Sequence, residues 1–179
     1  PVTSRYPIWA RDFAGGQMSR DMTLFVDDDG AAYHIHASEE NSTLHISRLR
    51  DDFLDTSGEY VRVFERRWHE APAICKHAGR YWLIASDCTG WDPNAARSAV
   101  ADSIWGPWTE LGNPAEGVNP WTGLGPEKTF GGQSTFILAL PGKPGAFIAM
   151  FDEWRPHNAV DGRYYWLPMQ FDEGRFTVP

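Results

Sequence analysis

The stretch Glu70-Ala71-Pro72-Ala73-Ile74-Cys75 is followed by the turn His77-Ala78-Gly79-Arg80 and then by Tyr81-Trp82-Leu83-Ile84-Ala85-Ser86. This reads as strand, tight glycine turn, strand. Pro72 cannot donate to a ladder, so it belongs near a strand's start or on an edge. Glu70 therefore stands at the mouth of the hairpin. A carboxyl beside Trp68, at the end of an apolar strand, loses part of its hydration. Desolvation raises a carboxyl pKa and keeps a proton available for general-acid work. A lone glutamate before a strand is ordinarily a solvated one, so the reading gains its weight from repetition.

The arrangement occurs twice more. Asp21 precedes 22–26, the turn Asp27-Asp28-Asp29-Gly30 and a returning strand at 31–38. Gln133 precedes 134–140, a Pro-Gly turn at 141–145 and a return at 146–152. Outer strands follow each hairpin, at 43–49 and 60–64, at 97–101 and 108–111, and at 164–171 and 175–178. Four short strands recurring every 40–50 residues or so are the signature of a β-propeller blade. The expected fold is all-β, with approximate blades at 19–66, 67–112 and 129–179 of one domain spanning 1–179. Blades place their first strand nearest the axis, so Asp21, Glu70 and Gln133 should converge at one end of a central channel. Propellers need about four blades or more to close. Three blades suggest part of a longer protein, with further site residues on missing N-terminal blades. Pro1 to Gly16 reads as a connection into the first blade.

Composition narrows the partners. The 179 residues carry a net charge of −8, which argues against nucleic acid and anionic membranes, both of which call for a basic face. No apolar run approaches the ~18 residues of a membrane span, and no secretory signal is visible. Nine tryptophans are many for a chain of this size. Flat aromatic faces stack on sugar rings, although most of the nine are expected between sheets. Cys75 reads as a buried strand residue and Cys88 as a loop residue, both free thiols.

The loops supply the remaining candidates. Asp27-Asp28-Asp29-Gly30 has the look of a calcium loop but lacks its later oxygen ligands, so it reads as a hairpin turn. His34, His36 and His45 could share a face and hold a metal, but ordinary strand residues are the expectation. Glu39-Glu40-Asn41 reads as a hairpin end with exposed carboxylates. The loop 87–94 returns to the Glu70 end, bringing Thr89 and Trp91 as sugar contacts, against the alternative of a structural turn with Trp91 packed down. Trp154 follows the third hairpin as a second aromatic platform, with Arg163 as a nearby donor.

Ser19-Arg20-Asp21-Met22 with Phe25 and Asp28-Asp29-Gly30, Glu70-Ala71-Pro72, Thr89-Gly90-Trp91, Gly106-Pro107-Trp108 and Gln133-Ser134-Thr135 occur in an order that resembles glycoside hydrolase family 43, nearest to its exo-β-1,3-galactanase branch. The resemblance runs from about Gly16 to the C-terminus. It implies a five-bladed β-propeller that hydrolyses glycosidic bonds with inversion. It assigns the general acid to Glu70, the residue that tunes and orients that acid to Asp21, and the base-side role to Gln133. Arg20, Thr89, Trp91, Trp154 and Arg163 become the substrate-binding candidates. A neutral amide is a very poor base, so Gln133 is expected to position water. No cofactor is required, and a structural calcium is compatible with the family without any residue here designating one. An oligo- or polysaccharide substrate is implied. So are secretion or a periplasmic location, and either missing N-terminal blades or an attached carbohydrate-binding module in the full-length protein.

Three other readings stay open at this level. The wider family includes α-L-arabinofuranosidases and β-xylosidases, and a carboxylate base on a missing blade would favour them. A non-catalytic carbohydrate-binding propeller would bind sugar without cleaving it. A structural propeller that binds proteins would have no use for the trio Asp21, Glu70 and Gln133.

Overall fold

The computed structural model describes residues 17–179. The expected connection at Pro1 to Gly16 lies outside the described residues. The described residues are all-β, apart from two short 3-10 turns. The first sheet is a meander of β1 (Met22–Val26), β2 (Ala32–Ser38), β3 (Thr43–Leu49) and β4 (Thr56–Val63). The second repeats it with β5 (Glu70–His77), β6 (Arg80–Ser86), β7 (Arg97–Ala101) and β8 (Thr109–Gly112). The third has three strands, β9 (Gln133–Ala139), β10 (Phe147–Glu153) and β11 (Arg163–Pro168).

The second sheet lies between the other two, which explains its nearly unbroken apolar sequence. Side chains alternate across a strand, so each face takes every second residue. Ile74, Tyr81, Leu83 and Ala85 join Tyr33, Ile35, Leu44 and Ile46 of the first sheet in one core. Ala73, Cys75, Trp82 and Ile84 join Ile137, Phe147, Ala149 and Phe151 of the third in another. Each fully buried Leu or Ile adds roughly 1.5–3 kcal/mol of stabilisation.

The C-terminal segment departs from the expected outer strands at 164–171 and 175–178. The strand pairing of β11 with β10 ends with Pro168 opposite Ile148, and one further hydrogen bond follows it, from the Met169 N–H to the Phe147 carbonyl at 3.0 Å. The chain then forms a separate ribbon of β12 (Gln170–Asp172) and β13 (Arg175–Thr177). Its Phe171 and Phe176 both pack edge-on against Trp82, at 5.4 and 6.1 Å between ring centroids. The ribbon thus completes the second core instead of widening the third sheet.

The three first strands run side by side in the same direction. Lys76, near the end of β5, reaches Asp27 just beyond β1 at 2.6 Å. Ser134, near the start of β9, donates its hydroxyl to the Ala71 carbonyl near the start of β5 at 2.7 Å. Starts therefore lie near starts. Two of these strands carry a one-residue irregularity immediately after their opening. In β5 the register slips between Glu70 and Ala73, where Ala71 takes a left-handed φ of 47°. In the β9–β10 pair it slips opposite Met150 and Phe151, leaving Thr135 as the extra residue. Such bulges bend a strand locally and re-aim a side chain.

Candidate active site

A cavity of about 360 Å³ opens at the shared start of the three first strands. Arg20, Asp21, Asn41, Glu70, Gly90, Trp91, Gln133 and Trp154 line it. The three residues expected to converge do so, accompanied by both aromatic platforms and Arg20. A smaller pocket of about 190 Å³ shares Gly90, Trp91, Gln133 and Trp154 and extends toward Glu153.

Glu70 is half-buried, the first residue of β5 and directly opposite Ser86. Burial pushes its carboxyl above the ordinary value. The Cys88 hydrogen bond opposes this, the charge of Asp21 adds to it, and Arg20 and Asp87 pull in opposite senses. Asn41 Nδ2 donates a hydrogen bond to Glu70 Oε1 and lies 3.9 Å from Cys88 Sγ. Asp21 is exposed at the cavity rim, its carbonyl accepting the Ala37 N–H at 2.9 Å.

Gln133 is oriented at both ends of its amide. Nε2 donates to Ser86 Oγ at 2.8 Å, and Oε1 accepts from Trp154 Nε1 at 3.4 Å. Trp154 meets Trp91 in a T-shaped contact, 4.9 Å between centroids and 61° between planes. The two indoles are 49% and 63% exposed, so Trp91 stands up at the cavity instead of packing down. Each aromatic contact is worth ~0.5–1.5 kcal/mol beyond area. Replacing Trp91 or Trp154 with alanine removes this contact and is expected to cost about 0.5–1.5 kcal/mol of stability beyond area, as read by denaturant unfolding.

Two expected sugar contacts lie elsewhere. The Thr89 hydroxyl donates to the Asp92 carbonyl at 2.6 Å and accepts from Asn94 Nδ2 at 2.7 Å, so it laces the 87–94 loop together. Arg163 is exposed and paired with Asp161, and it lines neither pocket. Sequence reasoning also misplaced Glu39. It is 2% exposed, bound by Arg62 through both carboxylate oxygens, and bonded to His45 Nε2 at 2.8 Å. Burial pushes its carboxyl up, but the bonds from His45 and Arg62 outweigh that and hold it at about 2. No local pattern could have shown this, because Arg62 arrives from another strand.

His34 and His36 stack at 4.5 Å. Among the described residues no group of three or more His, Cys, Asp or Glu is arranged to hold a metal ion. Asp27 is engaged by Lys76 and the Tyr81 hydroxyl, which ties the first hairpin turn to the second sheet.

Residues 5–128 match the family model of glycosyl hydrolases family 43. The chain belongs to glycoside hydrolase family 43. Solved structures extend the likeness past Gln133 and Trp154. A family 43 β-1,3-galactosidase with galactodeoxynojirimycin is 56% identical, with a TM-score of 0.85 over 91% of this chain and 46% of its own. An exo-β-1,3-galactanase from Clostridium thermocellum is 34% identical, with a TM-score of 0.81 over 92% and 34%. The exo-β-1,3-galactanase of Phanerochaete chrysosporium, with galactose, is 34% identical, with a TM-score of 0.80 over 92% and 36%. The chain thus spans less than half the length of these family 43 structures. A search among curated proteins finds no match.

Proposed function

We propose that the chain is the acid-bearing part of an inverting, exo-acting β-1,3-galactan hydrolase built as a five-bladed β-propeller. One observation carries the reading. A half-buried glutamate with a raised pKa shares a cavity with an aspartate, an oriented glutamine and two exposed indoles, in a chain 56% identical to a β-1,3-galactosidase. The propeller finds support in the three neighbouring first strands. It is also supported by Met22, Leu24 and Val26 of β1 and Phe136 and Leu138 of β9, whose exposed apolar side chains suit cover by further sheets.

In this reading Glu70 enters as the acid. Its proton passes to the glycosidic oxygen as the bond from that oxygen to the anomeric carbon breaks. Water adds to the anomeric carbon from the opposite face and gives up its surplus proton to solvent, so the β-linkage yields an α-configured product. Gln133 Oε1 orients that water, while the indoles of Trp91 and Trp154 hold the terminal ring. Asp21, as an anion close to Glu70, helps to keep the acid protonated.

The test is sugar release from β-1,3-galactan by the full-length protein, with the first-formed anomer read by NMR. The expected product is α-galactose, with an alkaline limb in the pH–rate profile above the ordinary glutamate value of 4.5. First-formed β-galactose would overturn inversion. Cleavage of aryl arabinosides or xylosides in place of galactan would overturn the substrate and spare the acid. Binding without cleavage would leave a carbohydrate-binding propeller.

A further inference from the structure

Asn41 has one working side-chain contact of consequence, and it is to the proposed acid. The residue is 4% exposed. Its Nδ2 serves Glu70 Oε1 and approaches Cys88, while its Oδ1 is buried and has no partner among the described residues. Stability alone disfavours this, because an apolar side chain of similar size would bury no orphan oxygen. The backbone that presents it is also unusual. Glu39, Glu40 and Asn41 are consecutive left-handed residues, with φ of 53°, 59° and 66°. Such a run persists only where its surroundings over-determine it. Here Arg62 and His45 clamp Glu39, and the Ser42 hydroxyl donates to the Glu39 carbonyl at 2.7 Å.

Resting on the catalytic reading above, we infer that Asn41, held by the Glu39–Arg62–His45 cluster, is a positioning residue that fixes which oxygen of Glu70 carries the transferable proton. A neutral carboxyl accepts best at its carbonyl oxygen and donates from the other. An N–H fixed on Oε1 therefore makes Oε1 the acceptor and leaves the proton on Oε2. The same N–H favours the ionised form, so it lets the acid release its proton as the bond breaks. The other charged or titratable groups facing Glu70 are Arg20 and Asp21 before β1, and Asp87 and Cys88 after β6. Glu40 and Arg97 pair with Arg20 and Asp87. Of these only Cys88 touches Asn41, through the 3.9 Å approach of Nδ2 to Sγ, so a change at Asn41 leaves the charged groups around Glu70 in place.

The experiment compares Asn41→Ala and Asn41→Asp with the parent in the full-length protein. Two readouts are used, the pH dependence of kcat and KM on β-1,3-galactan, and a carbon-13 carboxyl titration of Glu70 assigned with Glu70→Gln. For Asn41→Ala, kcat should fall about 10- to 100-fold, the scale of a hydrogen bond to a charged group. KM should stay within about twofold, because Asn41 is assigned no sugar contact. The Glu70 titration and the alkaline limb should move to higher pH. Asn41→Asp keeps the shape and adds a like charge, so it should move them further in the same direction. An unmoved titration in both variants overturns the inference, as does a loss confined to KM. If the parent itself releases no galactose, the catalytic reading fails, and the Glu70 titration still decides whether Asn41 governs that carboxyl.

Discussion

Under the function proposed above, Glu70→Gln is expected to lower kcat on β-1,3-galactan by about 10²–10⁴, the usual worth of a general acid. The amide keeps the shape, and its oxygen can still accept from Asn41, so fold and KM should hold. The loss should shrink on an aryl galactoside with an acidic phenol, because such a leaving group departs without a proton. A structural role for Glu70 would make the two losses equal. The variant should also be slightly more stable than the parent near neutral pH. Glu70's folded carboxyl lies above its ordinary 4.5, so its ionised form works against the fold once the pH exceeds the unfolded value. Removing the charge relieves that, and thermal melts across pH would show it. Gain in stability with loss of activity is the pairing expected of a strained functional group.

Arg62→Ala should bring the largest loss of stability among single changes at this end of the molecule. It strands the Glu39 carboxylate in a fully buried position, a change that typically costs about 3–5 kcal/mol. For a domain of this size that corresponds to a drop in Tm of roughly 6–20 °C. The parent should show a related acid dependence. Glu39's carboxyl is held at about 2 in the fold against 4.5 ordinarily. A depressed carboxyl stabilises the fold above its unfolded pKa, so this contribution is complete above about 4.5 and fades as the pH falls toward about 2. In Arg62→Ala that part of the profile should flatten. Equal Tm values for parent and variant would show that the Glu39 cluster contributes nothing to the fold.

The hairpins were legible because their turns are local. Asp29-Gly30 and Ala78-Gly79 sit where Gly30 and Gly79 take φ of 84° and 77°, between runs of strand-forming residues. The convergence of Asp21, Glu70 and Gln133 was legible because a repeated unit places equivalent positions together. What escaped depends on distant partners. Glu39 looks like an ordinary surface acid until Arg62 arrives from β4. Asn41 has no visible purpose until Glu70 comes across from the next sheet. The C-terminal ribbon reads as continuous strand until Trp82, on another sheet, offers Phe171 a place to pack.

The bulges after Glu70 and beside Thr135 act as frameshifts in three dimensions. Along a regular strand, the side a residue faces is dictated by its even or odd count from every other residue. One extra residue resets that count. Ala73, Ile74 and Cys75 can then keep strict parity with the two cores, while Glu70 answers to the cavity alone. The opening position is thereby freed from the packing code of the strand it begins. The two bulged strands can thus offer a glutamate and a glutamine without repacking the interior. Deleting a single residue at Ala71 would merge the two frames and turn Glu70 out of the cavity while leaving every core residue in the sequence.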